Sequence, residues 1–186
     1  MMIKFIKTTL KVLAVFILSI ALIYFFFSIK WRLEASRDYA LFGPEAPKLK
    51  INNKIYRDLN KNGKLDTYEN SEAQIEDRVE DLISQMNPYE KAGAIFIDMI
   101  GVNVDGTPTE FPSFSDPFSF LMETSSVQIA KKKMNHFNIT ASHPKEKMIE
   151  WQNAIQKMGE RSRLGIPVTI ASDPRHGVPT QLGASI

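Results

Sequence analysis

The chain has 186 residues, 44% of them hydrophobic and 24% charged, the proportions of a protein that buries a core rather than of a disordered or collagen-like chain. It has no cysteine, which excludes disulfide frameworks, cysteine-ligated zinc and thiol catalysis. The formal charge of +2 hides a division: five basic residues and no acidic one precede Glu34, and the remaining 18 basic and 21 acidic residues set the rest at −3. Nucleic acid is not expected as a partner, because it needs a basic patch on the folded part. The one basic run there, Lys131-Lys132-Lys133, reads as a solvated face.

Val12 to Ile29 is a run of 18 residues without a charge, enough helix to cross the hydrocarbon of a bilayer. Lys4, Lys7 and Lys11 precede it and Lys30-Trp31-Arg32 follows, a snorkelling and interfacial cluster. A cleavable signal peptide has a shorter apolar core and a small-x-small site. Residues 1–32 are therefore expected to be an uncleaved signal anchor or transmembrane segment. The remainder then faces the extracytoplasmic side, at the cell surface or in the periplasm; the alternative is a cleaved signal and a secreted chain. Residues 33–54, with Gly43, Pro44 and Pro47, read as a linker.

Residues 55–70 contain the EF-hand-like loop Asp58-Leu-Asn-Lys-Asn-Gly-Lys-Leu-Asp-Thr-Tyr-Glu69. Asp58, Asn60, Asn62 and Asp66 stand at positions 1, 3, 5 and 9, Lys64 offers its carbonyl at position 7, and Glu69 is the bidentate residue at position 12. Gly63 occupies the sharp turn at position 6. All six are hard oxygen ligands, which calls for a structural Ca²⁺. Pro47 and Asn52-Asn53 interrupt any helix before the loop, so a single site is expected rather than a helix–loop–helix pair.

Ser71 to Gln74 has the form of a capping box ahead of an amphipathic helix of about 15 residues with Ile75, Val79, Leu82, Ile83 and Met86 on one face. Asn87-Pro88-Tyr89-Glu90 restarts a short helix, with Asn as cap and Pro at its first position. Gly93 then opens Ala94–Ile97 as a buried strand. Residues 101–120, rich in Pro, Gly, Ser and Thr, form a long loop. A third helix begins after Pro144, aligns Met148, Trp151, Ile155 and Met158, and ends near Arg163. Val168–Ala171 is a second buried strand. Strand, long crossover with a helix, and strand begin an α/β fold with a parallel sheet. Asp173 and His176 follow the second strand's C-terminal end, where such folds carry their sites; a turn carboxylate and a structural histidine are the plainer alternatives.

Three pieces in this order resemble the N-terminal domain of glycoside hydrolase family 3, the β-glucosidase and exo-β-glycosidase family. They are Tyr56 to Glu69 with Val79–Met86 and Glu90–Gly93; Asn135-His136-Phe137-Asn138-Ile139; and Arg163–Pro167 leading to Asp173-x-x-His176-Gly177. The resemblance implies that residues 71–186 are an incomplete (β/α)₈ barrel holding its first two strands, because a whole barrel takes about 250 residues. It implies a retaining exo-acting β-glycosidase, β-glucosidase-like, acting on a β-linked glucoside or oligosaccharide. Asp173 matches the residue that binds hydroxyls of the non-reducing sugar. The family's nucleophile and acid/base lie on later strands, so no catalytic residue is expected within these 186, and the chain alone is expected to be inactive. Pro174-Arg175 departs from the commoner Ala-Val beside that aspartate. The alternative is a non-catalytic, membrane-tethered calcium-binding module left from such an enzyme.

Overall fold

A computed structural model describes residues 2–113 and 117–171. It is a mixed α/β structure led by one long apolar helix, α1 (Met2–Tyr39). The apolar part of α1 is exposed, none of its hydrophobic stretch being buried among the described residues, and by length and composition it can cross a membrane. Its 38 residues reach about 57 Å at 1.5 Å per residue, well beyond the roughly 30 Å of a hydrocarbon core. The surplus extends past both ends of the uncharged run, and at the C-terminal end Ala35, Asp38 and, just past the helix, Phe42 are buried against the folded part.

The segment read as a linker carries structure of its own. Arg161 grips it: Nε donates to Gly43 O at 2.8 Å, an Nη donates to Tyr39 Oη at 3.0 Å, and the guanidinium lies 5.1 Å and 5.7 Å from the Tyr39 and Phe42 ring centres. Ala46 N donates to Glu160 Oε1 at 2.8 Å. Next come β1 (Lys48–Ile51) and β2 (Lys54–Arg57), paired antiparallel with Ile51 opposite Lys54. Asn52 and Asn53 make the two-residue turn with φ of 49° and 63°, a left-handed pair that asparagine tolerates and that matches strand twist.

Helix α2 (Ile75–Gln85) has 11 residues and starts at Gln74, not at the expected Ser71. Asn70 explains the delay. Its side chain accepts from Glu72 N at 3.0 Å and its carbonyl from Ala73 N at 3.1 Å, so Ser71–Ala73 close a turn before the helix can begin. Helix α3 (Pro88–Ala94) starts as the sequence indicates, with Asn87 accepting from Glu90 N and Glu90 from Asn87 N, each at 3.0 Å.

The first strand is displaced from the expected Ala94–Ile97. β3 is Ile97–Ile100, and Gly93-Ala94 complete α3. Gly93 is a packing position: a Cβ there would stand 2.2 Å from Lys133 O. The strand is also not buried on both faces, since Ile97 is exposed and only Ile100 is buried. Among the described residues the sheet has three parallel strands rather than two, in the order β3, β4 (His136–Ile139), β5 (Thr169–Ala171). Ile97 pairs with His136 and His136 with Thr169. The crossover from β3 to β4 holds a 3₁₀ turn (Pro117–Leu121) and a π-helical turn (Val127–Lys131). The crossover from β4 to β5 is α4 (Lys145–Glu160), with Trp151, Ile155 and Met158 buried as its periodicity predicts. These pack with Ile100, Ile129, Phe137 and Val168 into one core. Trp151 Nε1 donates to Gly101 O at 3.1 Å, which fixes α4 to the end of β3.

Candidate functional site

The loop Asp58–Glu69 is closed by its own acidic and amide side chains. Asp58, buried, accepts from Asn62 N at 3.0 Å and Gly63 N at 2.8 Å. Gly63 has φ +80°, the left-handed conformation expected of position 6. Asn60 Nδ2 and Asn62 Nδ2 donate to Asp66 Oδ2 at 2.6 Å and 2.7 Å, so these three side chains converge on one point. Glu69 Oε1 accepts from Leu59 N at 2.6 Å and Asn60 N at 3.1 Å, and its Oε2 from Asp66 N at 3.1 Å. The position-12 carboxylate thus ties both ends of the loop together.

As a donor set for Ca²⁺ these residues fit: three carboxylates, two amides and a main-chain carbonyl are all hard oxygens. Their bonding is to the loop itself and, through Asn60 Nδ2, to Gln85 Oε1 of α2 at 3.1 Å. The Asn60 and Asn62 amide oxygens accept from Asn62 N at 3.2 Å and Lys64 N at 2.8 Å, and among the described residues no three His, Cys, Asp or Glu side chains gather as a metal cluster. Lys61 stands beside the acidic residues. Its Nζ donates to Leu59 O, to Glu160 O at 2.6 Å and to Ser162 O at 2.7 Å. Burial pushes its pKa down, opposed by the charges of Glu160, Asp58 and Glu69.

The loop is also the clasp for two of the sequence pieces that carry the family resemblance. Tyr68 Oη donates to Leu164 O at 3.1 Å, and Tyr68 N to Asp81 Oδ2 at 2.8 Å. Burial, with Glu69 and the other loop carboxylates nearby, raises the Tyr68 phenol well above its ordinary range. Gly165, at φ +60°, lies so close to Leu59 that a Cβ would come within 2.8 Å of the leucine Cβ. Arg163 reaches back to α3: Nε donates to Glu90 Oε1 at 2.9 Å, and an Nη donates to Gln85 O at 2.7 Å and to Glu90 Oε2. Loop, α2–α3 and the turn before β5 are therefore one interlocked unit.

Asp173, expected in the sugar site, and His176 lie outside the described residues. β5 ends at Ala171, in register with Asn138 of β4. Phe137 and Ile139 face the core, so His136 and Asn138 point to the other face of the sheet. The Asn138 Oδ1 atom is buried and has no hydrogen-bond partner among the described residues. Its polar–apolar alternation, His-Phe-Asn-Ile, was the available signal. A second feature had none. Glu110 accepts from Ser126 N at 3.0 Å and Ser126 Oγ at 2.6 Å, sixteen positions away, and burial raises its carboxyl pKa against the pull of those two bonds.

No protein-family model matches the chain. Curated proteins do. It is 31% identical over 145 residues to the periplasmic beta-glucosidase/beta-xylosidase of Dickeya chrysanthemi, covering 76% of this chain and 21% of that protein. It is 36% identical over 120 residues to beta-glucosidase C of Emericella nidulans, 64% of this chain and 18% of that one. To the probable beta-glucosidase C of Aspergillus oryzae it is 32% identical over 124 residues, 66% of this chain and 18% of the relative. The chain spans about a fifth of the length of these relatives. It is a homologue of β-glucosidases over part of its length, in keeping with an N-terminal segment of glycoside hydrolase family 3, the family its motifs resemble.

Proposed function

We propose that these residues form the N-terminal part of a retaining exo-acting β-glycosidase, β-glucosidase-like, that removes terminal non-reducing β-D-glycosyl residues. The observation that carries the reading is the similarity to a β-glucosidase/β-xylosidase across three quarters of the chain. The parallel order β3-β4-β5, with α4 between the last two strands, is what the opening of a (β/α)₈ barrel requires. Retaining hydrolysis uses two carboxylates about 5–5.5 Å apart; the resemblance assigns neither of them to these residues. Asp173 supplies a charged acceptor to a pair of sugar hydroxyls, among the stronger hydrogen bonds available to a neutral ligand.

The loop ligands Asp58, Asn60, Asn62, Asp66, Glu69 and the Lys64 carbonyl hold one Ca²⁺ in a structural role, stiffening the clasp between α2–α3 and the turn before β5. Helix α1 stays in the membrane and places the folded part on the extracytoplasmic side. The periplasmic relative and the apolar helix both favour that side. The test of the enzymatic reading is Asp173→Asn in a protein that carries these residues together with the later carboxylates. Each lost charge-assisted bond costs about 1.5–3 kcal/mol, so kcat/KM for an aryl β-glucoside should fall on the order of 10- to 150-fold. An unchanged kcat/KM would remove Asp173 from the sugar site.

A further inference from the structure

The helix that leaves the bilayer does not hand over to a free spacer. Trp31, Glu34, Ala35 and Asp38 lie on one face of α1, and that face is covered by the folded part, Ala35 and Asp38 fully. Arg161 then fixes Tyr39, Phe42 and Gly43 to the end of α4. The direction of α1 is thus built into the folded part, and any residue packed beside α1 has a defined depth relative to the membrane.

Two such residues are aromatic. The Phe120 ring is 5.7 Å from the Trp31 ring, and the Phe111 ring is 5.8 Å from Arg32 Cζ. Trp31 and Arg32 stand two and three positions past Ile29, the last residue of the uncharged run, hence about 3–5 Å beyond the hydrocarbon boundary. The interfacial layer is about 5–8 Å deep on each side of the hydrocarbon core. Phe111 and Phe120 therefore fall within that layer or at its edge. Leu121, next to Phe120, is 80% exposed and Phe111 45%, an apolar tip that water would cover at a cost. Trp31 is itself 5.7 Å from Phe27, so the aromatic contacts run unbroken from the membrane-spanning stretch to this tip. Arg32, on the same turn as Trp31, has the long stem and charged head that suit the headgroup level.

We infer that Phe111, Phe120 and Leu121 form a second membrane contact, inserting into the interfacial layer of the lipid beside α1 and seating the folded part directly on the bilayer surface. The inference rests on the anchor reading above and adds to it an orientation. The occupant is lipid because the tip continues the membrane-spanning surface at the height where that surface meets the headgroups.

The chain has no cysteine, so single-site labelling tests this in the full chain. Leu121→Cys, Phe27→Cys and Lys145→Cys each receive an environment-sensitive NBD probe and are reconstituted into vesicles of phosphatidylcholine and phosphatidylglycerol, with and without doxyl-labelled lipid. Circular dichroism matching the unsubstituted chain identifies the folded preparations. The expected result is a blue-shifted Leu121 probe quenched by doxyl groups at the headgroup end of the acyl chain, a Phe27 probe quenched more strongly and by doxyl groups just inside the hydrocarbon boundary, and a Lys145 probe left unquenched. A Leu121 probe that behaves like Lys145 while Phe27 is quenched would overturn the inference and leave the anchor standing. A Phe27 probe left unquenched would remove the anchor reading, and this one with it. As a second measurement, a membrane-impermeant maleimide should react with Leu121→Cys more slowly on vesicles than in detergent; equal rates contradict the insertion.

Discussion

Arg163 donates from Nε to Glu90 Oε1 at 2.9 Å across 73 positions of sequence, joining the turn before β5 to the first turn of α3. The carboxylate is buried and the guanidinium half-exposed. Removing the arginine leaves a buried charge with the Asn87 amide as its hydrogen-bond donor and Lys133 as the remaining cation nearby. Loss of one member of a fully buried pair costs about 3–5 kcal/mol; with one side open to solvent, Arg163→Ala should cost about 1–3 kcal/mol. Urea unfolding of the detergent-solubilised chain measures it. The double variant Arg163→Met, Glu90→Gln should recover part of the loss, and a single variant as stable as the parent would contradict the clasp.

Stability should respond to acid in two opposite ways. Burial raises the Glu90 carboxyl, but hydrogen bonds from Arg163 and Asn87 and the nearby cationic charges outweigh it, so its pKa lies below the ordinary 4.5. Its contribution is complete above about 4.5 and is lost as pH falls through the lower folded value. Burial pushes Glu110 the other way, above 4.5, with the Ser126 bonds opposing. Ionised Glu110 is a cost that protonation relieves as pH falls through its raised value toward 4.5. The unfolding midpoint should therefore rise slightly on mild acidification and then drop below pH 4.5. Glu110→Gln should abolish the rise and keep the drop; a rise that persists in that variant would mean another group produces it.

Gly93 meets the main chain of Lys132 and Lys133, not a side chain that could move aside. With a Cβ placed 2.2 Å from Lys133 O and 2.5 Å from Lys133 C, Gly93→Ala must displace the turn before β4, where Lys133 already holds φ +61°. Overpacking of this kind costs about 1–3 kcal/mol, although alanine is the better helix former. A thermal melt should show destabilisation, and stabilisation by the roughly 1 kcal/mol of helix propensity would contradict the packing.

Calcium should bind once. Titration calorimetry of the chain should show a single site in the extracellular class, about 10⁻⁴–10⁻³ M, since Lys61 places a positive charge among the ligands. Asn62→Ala, at an exposed position, should weaken binding without unfolding the chain. Glu69→Gln should lose most of the affinity. No heat at millimolar calcium would leave the loop as a self-bonded clasp.

Much of this architecture is legible in the sequence where one physical cause dominates. The apolar stripe of α4 is buried as its spacing requires, and Asn87-Pro88-Tyr89-Glu90 caps α3 because cap and proline chemistry are local. Strand β3 was shifted because Ala94–Ile97 is apolar for a reason other than two-sided burial: the helix continues through Gly93, and the strand's first residues are left open. β4 escaped the periodicity argument because its alternating polar face reads weakly over four residues. The helix start at Gln74 depended on Asn70 closing a turn, a competition that a Ser-x-x-Gln pattern does not reveal. At the loop, residue types marked the turn and its six oxygens, but not that Asn60 and Asn62 give their nitrogens to Asp66. The pairing of Glu110 with Ser126 has no local signature at all.

The central claim is that these residues are an interchangeable opening of a β-glucosidase-type barrel. A chimera tests it most directly: residues 55–186 replace the matching stretch of the Dickeya chrysanthemi β-glucosidase/β-xylosidase, and hydrolysis of an aryl β-glucoside is measured. The account predicts a folded chimera that hydrolyses the glucoside and loses on the order of 10- to 150-fold in kcat/KM on Asp173→Asn, while the 186-residue chain alone shows no hydrolysis. A folded chimera without activity, or one in which Asp173→Asn is as active as its parent, would contradict it.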